Sequence, residues 1–106
     1  MNFNSYQTKA YSFALYPGEI NLAYPVMGLT GEAGEIANKV KKIYRDGLDG
    51  SEIRDDIKAE LGDVLWYLAA LATEFGLDLA DVATANIRKL ESRQRRGVIG
   101  GSGDNR

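Results

Sequence analysis

Four acidic residues stand in two pairs at the same spacing: Glu32 with Glu35, and Glu60 with Asp63. Residues three apart on an α-helix share a face, so each pair would set two carboxylates side by side. Converging carboxylates repel one another unless they are protonated, paired with Lys or Arg, or bridged by a divalent cation. Hard cations such as Mg²⁺ take oxygen ligands. Two pairs on facing helices would therefore form an all-oxygen cage with positions left for water or phosphate. A second group is basic. Between Ile87 and Arg96, Arg88, Lys89, Arg93, Arg95 and Arg96 face a single acid, Glu91. Asn86, Lys89 and Arg93 are three and four residues apart and share one face. Arg suits bidentate phosphate contacts and Lys supplies a point charge. The helix dipole also favours cations in a last turn, which accounts for Arg93, Arg95 and Arg96 but not for Asn86. An acidic cage beside a basic strip suits polyphosphate chemistry, in which a metal neutralises phosphate oxygens.

Composition narrows the alternatives. The chain has no cysteine and no histidine. Disulfides, thiolate or imidazole metal sites, Cys nucleophiles and Ser-His-Asp catalysis are all excluded. Catalysis would have to rest on carboxylates, Lys, Arg, Tyr or hydroxyls. With 106 residues, 44% hydrophobic and 26% charged, the sequence describes one globular domain. A formal net charge of −2 gives no field suited to a nucleic-acid polymer. The longest apolar run, Val64 to Ala72, is well short of the roughly 20 residues a membrane span needs. The start of the chain shows no basic segment followed by an apolar run. The expectation is a cytoplasmic protein without a membrane or nucleic-acid partner.

Four helices would position these groups, giving an all-α, up-down, four-helix-bundle-like protomer over residues 1–96 and a Gly-rich tail over 97–106. The first runs from Asn4 to Tyr16, ended by Pro17-Gly18. The second runs from Pro25 to Asp46, with Gly47 as its C-terminal stop. Gly28, Gly31 and Gly34 lie inside it and imply close approach by a helix or a ligand. The third begins after Ser51 as N-cap and ends at Phe75-Gly76. The fourth starts at Asp78, with Asp81 completing an Asp form of the capping box, and ends at Arg96. The tail is expected to be flexible unless docked, and its Gly and Ser amides could wrap a phosphate.

A helical wheel at about 100° per residue puts Leu29, Ala33, Ile36, Val40 and Ile43 in one stripe of the second helix. Glu32 lies at the stripe's edge and Glu35 just beyond it. In the third helix Ile57, Val64, Leu68, Leu71 and Phe75 form the stripe; Glu60 falls inside it and Asp63 at its border. The short connection makes the two helices an antiparallel hairpin. A lone Glu-x-x-Glu is usually a solvated face, but two pairs abutting two facing apolar stripes bring four carboxylates together. Trp66 and Tyr67 follow the second pair; helix packing is the favoured role for them, with base stacking the alternative. Lys39, Lys41 and Lys42 read mainly as an exposed face, with pairing to acids or phosphates the alternative.

The segments GLTGEAGEIANKVKK, ELGDVLWYLA and ANIRKLESR together resemble the MazG-like, all-α nucleoside triphosphate pyrophosphohydrolases, over about Gly28 to Arg96. That family's pattern is E-E-x-x-E, then E-x-x-D, then N-x-x-K-x-x-x-R. The matches are Glu32, Glu35, Glu60 and Asp63, followed by Asn86, Lys89 and Arg93. Gly31 stands where the first glutamate would be, a departure that bears on any further metal ion. The ending resembles short, phage-type members. The resemblance implies Mg²⁺-dependent hydrolysis of a (deoxy)nucleoside triphosphate to monophosphate and pyrophosphate, with Mn²⁺ a substitute. Glu32, Glu35, Glu60 and Asp63 would hold the metal. Glu35, better able to reach water, would orient or deprotonate the attacking water. Lys89 and Arg93 would contact the departing pyrophosphate, and Asn86 a phosphate or sugar oxygen.

The third helix is apolar nearly all round, which implies at least a homodimer with this helix in the interface. The resemblance adds the homotetramer as a common state, with active sites near subunit boundaries. The competing expectation is a non-catalytic helical module for oligomerisation, or for sensing a nucleotide or metal, with its acids merely salt-bridged.

Overall fold

The computed structural model describes residues 1–106 and is all-α, as expected, with four helices. They are α1 (Phe3–Tyr11), α2 (Ala23–Asp46), α3 (Arg54–Glu74) and α4 (Leu79–Arg95). Short 3₁₀ turns at Gly18–Ile20 and Gly50–Ile53 lead into α2 and α3. None of the helices is long and apolar enough to cross a membrane.

The helix ends show how local chemistry sets them. Asn2 and Ser5 cap α1 reciprocally, with Ser5 N–H donating to Asn2 Oδ1 at 2.9 Å and Asn2 N–H to Ser5 Oγ at 3.1 Å. α3 and α4 both end in Schellman motifs on left-handed glycines. Leu77 N–H reaches Ala72 O across Gly76, and Val98 N–H reaches Arg93 O across Gly97, each at 2.8 Å.

Three boundaries differ from expectation. α1 stops at Tyr11 rather than Tyr16, because residues 12–22 turn back to deliver Tyr16 and Asn21 to the end of α3. Ser51 does not cap α3: Asp49 accepts the Ser51 N–H and starts the 3₁₀ turn, and Ile53 stands at the α3 cap. The Asp78–Asp81 capping box does not form. The free amides of α4 are satisfied from α1 instead, Leu79 N–H by Gln7 Oε1 at 2.7 Å and Ala80 N–H by Asn4 Oδ1 at 3.3 Å. Gln7, itself buried, also donates to Thr73 Oγ1 and to the Leu77 carbonyl. One carboxamide thus ties α1, α3 and α4 together.

α2 and α3 form the expected antiparallel hairpin: Gly28 lies against Tyr67 and Lys39 reaches Glu60. α1 lies across α3 on another side, where the Trp66 indole N–H donates to Ala10 O at 3.0 Å. The tightest apolar packing is at Ala69, Ala70 and Ala72, small residues that let neighbouring helices approach. The wheel's inward stripe on α3 is only partly covered. Leu68 and Phe75 within it, and Leu61 at its edge, remain well exposed, because α2 covers only one side of the stripe. Only nine residues are buried. A folded monomer of this mass exposes about 5,800 Å², whereas the chain exposes 7553 Å². Its radius of gyration, 16.7 Å, exceeds the ~13 Å of a compact domain of this size.

The C-terminal end of α3 carries an acid held by three donors. Glu74 accepts from Tyr11 Oη at 2.6 Å, from Tyr16 Oη, and from Asn21 Nδ2 at 3.0 Å. The hydrogen bonds from Tyr11, Tyr16 and Asn21 hold its carboxyl below the usual carboxylate range. A folded-state value below the unfolded one contributes stability above the ordinary glutamate pKa, and that contribution is lost as pH falls through the folded value. Glu74→Gln should lower the neutral-pH Tm by roughly 4–8 °C, the effect of losing about 1 kcal/mol in a domain this size. It should also flatten the fall in Tm on acidification, measured by thermal melts across the acid range.

Candidate metal centre

α2 and α3 bring Glu32, Glu60 and Asp63 together: one carboxylate oxygen of each lies within 4.8 Å of the others. The wheel's logic holds here. Glu60 projects into the α2–α3 contact with 17% of its side chain exposed, while Asp63 sits at the rim. Glu60 Oε2 is buried with no hydrogen-bond partner, and its Oε1 has only Lys39 Nζ, 3.9 Å away. A buried carboxylate oxygen left unpaired is costly. The adjoining Glu60 carboxylate, partial burial and the charges of Asp63 and Glu35 push the Glu32 carboxyl above its usual range. The pocket therefore carries more negative charge than its own side chains compensate. Three convergent carboxylates and an orphaned oxygen fit a hard divalent cation.

Glu35 lies near this group without belonging to it. Its carboxylate is exposed, within electrostatic range of Glu32. The basic residues of α4 are not paired with these acids. Asn86 is exposed, and Lys89 and Arg93 both turn toward Asp104 of the tail. Asp104 and the tail geometry escaped the sequence reading; the glycines at 97, 101 and 103 were the available signal, since all three adopt positive φ. Lys39, favoured as an exposed face, takes the alternative role of partner to an acid, Glu60; it lies seven residues after Glu32 and hence on its face.

The aromatic residues beside the acids pack as expected. The Trp66 and Tyr67 rings meet edge-on at 5.1 Å, and Tyr16 stacks on Tyr24 at 5.1 Å. Burial, then the neighbouring Tyr24, Glu32 and Asp63, raises the Tyr67 hydroxyl pKa. Of the three glycines in α2, only Gly28 is closely approached, and by a side chain: a Cβ there would collide with the Tyr67 ring. Gly31 and Gly34 face open space within the chain.

Residues 24–98 match the profile of the MazG nucleotide pyrophosphohydrolase domain. Over the full length of both chains, the protein is 54% identical to the Gene 37 protein of Mycobacterium phage L5. It is also 38% identical to the uncharacterized protein YvdC of Bacillus subtilis (strain 168), over 61% of this chain and 68% of that one. No solved structure matches it. A profile match across most of the chain, on a four-helix fold that gathers Glu32, Glu60 and Asp63, places this protein in the MazG nucleotide pyrophosphohydrolase family.

Proposed function

We propose that the chain hydrolyses a (deoxy)nucleoside triphosphate to the monophosphate and pyrophosphate with the aid of Mg²⁺, or of Mn²⁺ in its place. The observation that carries this reading is the under-compensated pocket of Glu32, Glu60 and Asp63, with its orphaned Glu60 oxygen. These three side chains, with Glu35 beside them, would hold the cation. When bound, it supplies positive charge against the triphosphate oxygens. Glu35 is exposed and free to reach solvent, so it takes the proton from the water that attacks the α-phosphorus. Lys89 and Arg93 offset charge on the departing pyrophosphate, and Asn86 orients a phosphate or sugar oxygen. The cleft lined by Phe13, Tyr16, Tyr24, Trp66 and Tyr67 offers aromatic faces suited to a nucleobase.

The working form in this reading is a cytoplasmic homodimer or homotetramer. The excess exposed area, about 1,700 Å² over a compact monomer, is more than one partner's share of a standard interface, about 800 Å². The strip of Leu61, Leu68 and Phe75 on α3 is a natural contact.

A panel of purified triphosphates, assayed with Mg²⁺, without metal and with EDTA, tests the reaction. Monophosphate plus pyrophosphate should appear only with the cation. Diphosphate plus inorganic phosphate would overturn the assignment of the attacked phosphorus. The second reading, a non-catalytic helical module, draws on the Lys39–Glu60 and Lys89–Asp104 pairs, which partly neutralise the charged groups within the chain. It requires no turnover and no shift in melting with nucleotide or Mg²⁺.

A further inference from the structure

The tail is not loose. After the Schellman turn at Gly97 it curls into a closed loop, with Arg106 as its latch. The Arg106 guanidinium donates to the carbonyls of Val98 (3.1 Å), Ile99 (2.9 Å) and Gly103 (2.7 Å), and Arg96 Nη2 donates to Arg106 O at 2.8 Å. Gly97, Gly101 and Gly103 take positive φ, which L side chains rarely adopt, so the glycine content sets the shape of the loop.

That shape sets Asp104 over the basic face of α4. Arg93 Nη2 donates to the Asp104 carbonyl at 2.9 Å, and the Asp104 carboxylate lies 3.8 Å from Arg93 Nη2 and 3.9 Å from Lys89 Nζ. Arg93 is buried, with 6% of its side chain exposed, and its Nε has no partner. A guanidinium offers five donors in a fork that matches two oxygens of a phosphate. Here that fork meets one carbonyl and a distant carboxylate, poor compensation for a buried cation. Asp104, with 93% of its side chain exposed, gives up little on leaving.

We propose that Asp104 is a built-in competitor for the substrate's phosphates: in the free chain the tail occupies Lys89 and Arg93, and a polyphosphate must displace its carboxylate to bind. The inference rests on reading Lys89 and Arg93 as phosphate contacts. It adds that the tail sets substrate affinity from inside the same chain.

Calorimetric titration of the full-length protein with inorganic tripolyphosphate and Mg²⁺ tests it without turnover. Asp104→Asn should bind about two- to fivefold more tightly than wild type, the range expected for release of an exposed ion pair. Arg106→Gln, which unlatches the loop without touching Lys89 or Arg93, should shift affinity the same way. Equal or weaker binding by Asp104→Asn, or no binding by any of the three proteins, overturns the proposal. The triphosphate assay reads separately: hydrolysis with unchanged tripolyphosphate affinity sinks the tail competitor alone, and tighter binding by Asp104→Asn without hydrolysis sinks the reaction alone.

Discussion

Glu60→Gln should abolish metal-dependent pyrophosphate release while leaving the metal-free fold intact or firmer. The amide keeps the shape of the carboxylate but removes one negative charge from the cluster with Glu32 and Asp63, so repulsion in the apo chain falls. Loss of even an outer-sphere partner of a metal commonly costs 10–100-fold, and a direct ligand should cost at least about a hundredfold in kcat/KM. Two measurements check this. Steady-state pyrophosphate release should drop by at least that factor, and Mg²⁺ should raise the Tm of the wild type but not of the variant, since a ligand stabilises only the state that binds it. Activity within a few-fold of wild type would remove Glu60 from the site.

Gly28→Ala should destabilise the chain, although alanine is the better helix former. The new methyl would land on Cε1, Cζ and Cδ1 of Tyr67. That ring already packs against Tyr24 and Trp66, so moving away from the methyl disturbs both contacts. Overpacking of this kind costs about 1–3 kcal/mol, against a gain of about 1 kcal/mol in helix propensity. Gly28→Val, larger and β-branched, should lose the gain and keep the cost. Because Tyr67 adjoins Glu32 and Asp63, hydrolysis should fall along with Tm in both variants. Gly34→Ala is the control: nothing lies within 4 Å of its Cβ position, so Tm should rise by the propensity term alone. A fall at Gly34 instead would report a second chain packed on that face.

The acidic pocket was legible because helical periodicity is a strong local signal. Glu60 fell inside an apolar stripe and Glu32 and Asp63 beside one, and those three converge. Glu35 fell just outside its stripe and stays in solvent. What periodicity could not supply is long-range hydrogen bonding. The Asp78–Asp81 cap looked complete on local grounds, yet it does not form, and Gln7, far away in sequence, supplies an acceptor to the Leu79 amide from a buried position. The first helix ends early in a similar setting: the chain after Tyr11 turns back and brings Tyr16 and Asn21 onto Glu74, far away in sequence. The tail's glycines read as flexibility because composition does not reveal that a side chain, Arg106, will close them into a loop. The stripe on α3 also misled in part. Leu68 and Phe75 belong to it yet stay exposed within the chain, because periodicity marks an apolar face without saying how far one neighbouring helix covers it.

A chain with nine buried residues out of 106 has little free energy of its own with which to stay folded. If copies supply the missing cover, folding and association become a single equilibrium, and thermal resistance becomes a function of protein concentration rather than a fixed property of the sequence. Dilution would then act on this protein as a mild denaturant.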